Sequence, residues 1–129
     1  MATAVKTART LVAAATSYAA AATTRGTLQL ATAMGGILTF KMTNGATGPT
    51  VQCTANVLVA HNAALPTAAS RGTDWKTIYS VGNGTTNSAI NEFSYTVGPE
   101  VYNLEVEFTG NTAQAVVVEA FFTEITSVG

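Results

Sequence analysis

From Gly26 onward the apolar residues of this 129-residue chain recur at every second position. Leu38, Phe40 and Met42 alternate with Thr39 and Lys41, and Val51, Cys53, Ala55, Val57 and Val59 with Gln52, Thr54 and Asn56. Trp75, Thr77, Tyr79 and Val81 share one face, as do Phe93, Tyr95 and Val97. Tyr102, Leu104, Val106 and Phe108 alternate with Glu105 and Glu107, and Val116, Val118, Ala120 and Phe122 form the last run. A period of two is the signature of strands that bury one face. Turn chemistry separates the runs: Gly35-Gly36, Asn44-Gly45 (read as a hairpin turn), Gly82-Asn83-Gly84, Gly98-Pro99 and Gly110-Asn111. The pattern predicts an all-β antiparallel β-sandwich of about seven or eight strands. Jelly-roll and immunoglobulin-like strand orders both satisfy it.

Residues 1–24 lack this alternation. They are rich in Ala and Thr and read as an extended N-terminal arm, ordered on a partner, ahead of a sandwich domain over residues 25–129. Lys6 and Arg9 ahead of Leu11 have the outline of a signal peptide, but Thr16, Ser17 and Tyr18 interrupt the apolar run. No run approaches the ~20 apolar residues of a membrane span. The last strand is apolar on both faces, because Val117 and Phe121 oppose Val118 and Phe122. Cover for that second face would come from the arm or from a neighbouring subunit, unless the two residues are simply tolerated in water.

Charge is scarce and divided. Only 10% of residues are charged, and the formal net charge is −1. All the cations (Lys6, Arg9, Arg25, Lys41, Arg71, Lys76) precede all the glutamates (Glu92 to Glu124). A near-neutral surface favours association. The division predicts that the arm or early strands meet the late strands, within one subunit or between subunits. Lys6, Arg9, Arg25, Glu105, Glu107, Val117 and Phe121 are the expected contact residues. Glu105 and Glu107, two apart on one strand, read as an outward acidic stripe.

Catalytic chemistry finds little support. His61, Ser70 and Asp74 represent the only residue types here from which a nucleophilic triad could be drawn, and no nucleophile elbow accompanies them. Cys53 falls in core phase and reads as a buried small residue. No ligand spacing for zinc, no phosphate-cradling loop and no basic run appears, so no metal, cofactor, nucleic acid or small-molecule substrate is expected. Trp75, Tyr79, Phe93 and Tyr95 could line a sugar platform, although the phase of Trp75 and Tyr79 is what core packing needs.

An Ala/Thr-rich, charge-poor chain with an N-terminal arm and the stretch Val97-Gly98-Pro99-Glu100-Val101-Tyr102-Asn103-Leu104-Glu105-Val106-Glu107-Phe108-Thr109-Gly110-Asn111-Thr112 resembles the small β-sandwich or jelly-roll decoration (cement) proteins of tailed bacteriophage capsids. The resemblance implies a non-enzymatic virion protein on the capsid surface, made in the host cytoplasm. Its partners would be the major capsid protein and its own copies, as a homotrimer. A tail or fibre component and a carbohydrate-binding module are the alternative expectations.

Overall fold

The computed structural model describes residues 3–67 and 71–128. Eight strands run through it: β1 (Ala4–Tyr18), β2 (Thr24–Gln29), β3 (Gly36–Asn44), β4 (Thr54–Ala60), β5 (Trp75–Gly82), β6 (Ile90–Val97), β7 (Asn103–Thr109) and β8 (Val116–Val128). One helical turn, α1 (Arg71–Asp74), precedes β5. The first sheet has the order β1-β8-β3-β6 and the second β2-β7-β4-β5, with antiparallel neighbours throughout. The chain is thus the expected antiparallel β-sandwich, and the strand order is that of a jelly roll rather than an immunoglobulin domain. Strand β4 pairs with β5, β3 with β6, β2 with β7 and β1 with β8, as if one long hairpin had been rolled up. Only β4 and β5 are both consecutive and paired. The Asn44-Gly45 connection is therefore not the expected hairpin: β3 and β4 lie in different sheets.

The core lies between the sheets, where the period-two residues meet. Leu38, Phe40 and Met42 of β3 and Val118, Ala120 and Phe122 of β8 oppose Ala55 and Val57 of β4 and Leu104, Val106 and Phe108 of β7, all buried. Phe40 meets Phe108 edge-on at 6.3 Å and Phe93 at 5.7 Å. Full burial of side chains of this size is worth about 1.5–3 kcal/mol each. Cys53 packs in the same core.

The Ala/Thr segment does not project as an arm. It lies as β1 along β8, from Ala4 opposite Val128 to Tyr18 opposite Val116. Without it β8 would expose a row of unpaired backbone groups. Register shifts at Val5/Lys6, Thr10/Val12 and Val12/Thr16 reset the phase of β1, which erases the alternation that marks the other strands. Small residues also let the two sheets close at this edge: a Cβ on Gly26 of β2 would stand 2.3 Å from the Leu11 carbonyl oxygen.

A second departure concerns β5. The β4–β5 pairing shifts register between Val57 and Leu58, so Trp75 and Tyr79 are no longer in phase. Neither joins the main core. Trp75 is buried with Leu58 and Ala60 in a separate cluster, while Tyr79 is exposed and its ring lies 5.6 Å from that of Tyr95 on β6, where the two sheets' edge strands meet.

Candidate functional site

The two outer faces of the sandwich are finished differently. On the second sheet, the connection between β4 and β5 folds back over the strands as a strap. Asn103 on β7 donates to the carbonyls of Asn62 (2.6 Å) and Ala64 (3.3 Å), and Gln29 on β2 donates to Ala63 O (3.0 Å). Asn62 in turn donates to Asp74 (3.2 Å). At the far end Arg71 makes a two-armed pair with Glu105, one arm at 2.6 Å, and its guanidinium lies 5.7 Å from the Trp75 ring centre. Thr27 adds a hydroxyl bond to the same carboxylate at 3.1 Å. Glu105 is consequently 0% exposed, a correction to the outward acidic stripe. Strand register does place Glu105 and Glu107 on one outer face, but the strap closes over Glu105 and only Glu107 stays partly open. Hydrogen bonds to Glu105 are the main cause that pushes Arg71 further above the ordinary arginine range, against a smaller opposing effect of desolvation.

The divided charges meet inside one chain. Arg9 of β1 pairs with Glu124 of β8 at 3.1 Å, Arg25 of β2 with Glu107 of β7 at 3.0 Å, and Lys41 of β3 with Glu119 of β8 at 3.4 Å. Rolling a hairpin sets early strands against late ones, so separation along the sequence becomes neutralisation in space. Of the expected contact residues, Arg9, Arg25, Glu105 and Glu107 are thus engaged within the chain. Lys6 forms no ion pair among the described residues.

Among the described residues none forms a strap over the first sheet's outer face. It presents Ile37, Thr39, Lys41 and Thr43 from β3, Val117, Glu119, Phe121 and Thr123 from β8, and Ile90, Glu92, Ser94 and Thr96 from β6. Phe121 is 36% exposed and Ile90 62%. Strand β1 lies beside β8, not across it, so the segment once expected to cover Val117 and Phe121 does not do so. Near one end the face dips into a groove of about 510 Å3 between Met34, Ile37, Pro99 and Ile125, with Lys6 among its lining residues.

A polar knot ties down the end of the sandwich that holds the β5–β6 loop. Asn83 donates to Asn44 Oδ1 at 2.7 Å and accepts from Asn91 at 2.8 Å, while Asn44 donates to the carbonyls of Gly84 and Thr86. Asn44 and Asn83 are buried. Both precede glycine, so in sequence they read as turn residues. Their burial depends on a contact between distant loops.

The triad candidates do not assemble into a supported site. His61 is exposed, Asp74 bonds to Asn62, and Ser70 lies outside the described residues. Among the described residues no group of three His, Cys, Asp or Glu side chains is placed to hold a metal ion. Among the described residues no helix is long and apolar enough to cross a membrane.

No protein-family model matches the sequence, and no curated protein matches it either. Solved structures do match the fold. The K3 cleaved adhesin domain of Lys-gingipain from Porphyromonas gingivalis W83 is 9% identical with a TM-score of 0.59, over 83% of this chain and 71% of that one. A chain in the structure of infectious bursal disease virus, Gt strain, is 11% identical with a TM-score of 0.53, over 94% of this chain and 32% of that one. The enzymatically active domain of bacteriophage CBA120 tailspike protein 4 is 10% identical with a TM-score of 0.52, over 96% of this chain and 19% of that one. At such identities the likeness is one of fold: this chain is a β-sandwich of a kind also built into a virus particle, a phage tailspike and a bacterial adhesin.

Proposed function

We propose that this chain is a non-enzymatic virion protein that decorates an icosahedral phage capsid and bridges major capsid subunits through the outer face of its first sheet. The observation that carries the reading is the contrast between the two faces. One is sealed by the chain's own strap. The other is a field of Thr, Ser, Ile, Val and Phe with three charged residues, of which Lys41 and Glu119 pair with each other and Glu92 stands exposed. Burying such a face desolvates one ion pair and one further carboxylate, Glu92. With strands ~4.8 Å apart and ~3.3 Å per residue, the four-stranded face offers about 500 Å2. A stable interface takes about 800 Å2 per partner, so one copy holds weakly and several linked copies hold well. This favours a self-associated decoration unit, with the homotrimer as its proposed form. Binding only the assembled shell would stabilise the shell by mass action.

Two alternative readings make different demands. A sugar platform would rest on Tyr79 and Tyr95, because Trp75 is only 7% exposed. A tail or fibre part would be present in a few copies per particle rather than hundreds.

Phe121→Lys tests the proposal. It places an unpaired cation in the middle of the bare face, where it leaves the core untouched. Co-sedimentation with shells stripped of the protein should show at least about tenfold weaker binding, with thermal stability changed little. Unchanged shell binding by the folded variant rules this face out.

A further inference from the structure

The charge inventory leaves one acidic group unmatched at a cavity. Glu105, Glu107, Glu119 and Glu124 each pair with a cation of the same chain. Glu100 pairs with none among the described residues. It follows the Gly98-Pro99 turn after β6 and is exposed. Its carboxylate folds back over Gly98, where a Cβ would stand 2.2 Å from Oε2, so the glycine makes room for it. Glu100 there lines a cavity of about 390 Å3 at the sandwich edge where β5 and β6 meet. Val97, Val101, Ile78 and Tyr95 supply its apolar walls, and the exposed His61 also lines it.

We infer that this cavity receives a lysine or arginine side chain presented by a partner protein. An apolar slot beside one free carboxylate is complementary to a side chain with an aliphatic stem and a cationic head. The stem covers apolar wall, and the head reaches the carboxylate without losing contact with water. A cation in the cavity also lies near the Tyr95 ring, whose face attracts positive charge. The chain's other exposed glutamate, Glu92, sits on the outer face of the first sheet and is not among the residues lining this cavity or the groove beside Lys6. The inference rests on the reading of this chain as a binding protein, but not on a capsid being the partner.

The test is titration of the full-length, isotope-labelled protein with a blocked Ala-Ala-Arg-Ala-Ala peptide at low ionic strength, followed by amide NMR shifts. Saturable shifts at Thr96–Val101 and His61 are expected, with millimolar affinity. Glu100→Gln should bind about fivefold more weakly, the upper end for an exposed ion pair, while Glu92→Gln binds as the parent does. Equal binding of a control peptide with norleucine in place of the arginine overturns the inference, as do a Glu92→Gln loss equal to that of Glu100→Gln, the absence of shifts at 20 mM peptide, and displacement of the peptide by a neutral methyl glycoside. Phe121→Lys should leave the titration unchanged, so failure of shell binding and failure of this cavity read out separately.

Discussion

Removing Arg71 should show how the strap is held. In Arg71→Ala the Glu105 carboxylate, buried in the intact chain, loses its two-armed partner and among the described residues keeps the Thr27 hydroxyl. Breaking a buried ion pair by deleting one side costs about 3–5 kcal/mol. Here the arginine side chain is 30% exposed, so water reaches its half of the site and part of the cost is relieved. A loss of about 2–3 kcal/mol is expected, or a fall in Tm of about 10 °C for a domain of this size. The single tryptophan, Trp75, lies against Arg71, and its fluorescence during urea unfolding reads the change directly. The double variant Arg71→Ala, Glu105→Leu removes both charges and adds an apolar side chain beside Leu58. It should recover most of the loss. A single-variant loss under about 0.5 kcal/mol, or a double variant no better than the single, refutes the reasoning. The arginine's share is insensitive to ordinary pH. Its folded-state pKa is raised, so the stabilisation is fully present below the usual arginine value and fades only in stronger alkali.

Two further substitutions probe the joints of the sandwich. Asn83→Ala strands Asn44 Oδ1 and Asn91 Nδ2 and should cost about 2 kcal/mol, with faster hydrogen exchange at the Asn44 amide, which donates to Ala89 O at 2.8 Å. Gly26→Ala drives a methyl into the Leu11 carbonyl and should destabilise by about 2–3 kcal/mol, more than the ~1 kcal/mol gained from a stiffer unfolded chain. A higher melting temperature for that variant would show that β1 is not held against β2.

Most of the strands could be read because each buries one face, and Leu38-Phe40-Met42 or Leu104-Val106-Phe108 cannot alternate as they do in a helix. Strand β1 could not. Its register shifts three times, and Ala and Thr give weak contrast between buried and open faces. The charge division was visible as a pattern, but its meaning needed the strand order: only when β1 meets β8 and β2 meets β7 do Arg9 and Arg25 reach Glu124 and Glu107. Glu105 was misread because alternation reports which face a residue occupies and not what lies over that face. Its cover comes from an aperiodic connection whose one diagnostic residue, Arg71, looks in sequence like any loop cation. Asn44 and Asn83 were missed for a similar reason, since Asn-Gly reads as a local turn and their burial is non-local.

The rolled-hairpin order also dictates when the molecule can be completed. Arg9 and Glu124 are 115 residues apart, yet they sit on paired strands. The local β4–β5 pair can form first, and each outer pair must close a longer loop than the one inside it, so β1 finds its partner last. As the chain leaves the ribosome, β1 emerges well before β8 and must wait for it. A waiting edge strand is a template for aggregation. Short Ala and Thr side chains, broken register and the charges of Lys6 and Arg9 make β1 a poor template, so the features that hid it as a strand keep it soluble until β8 arrives.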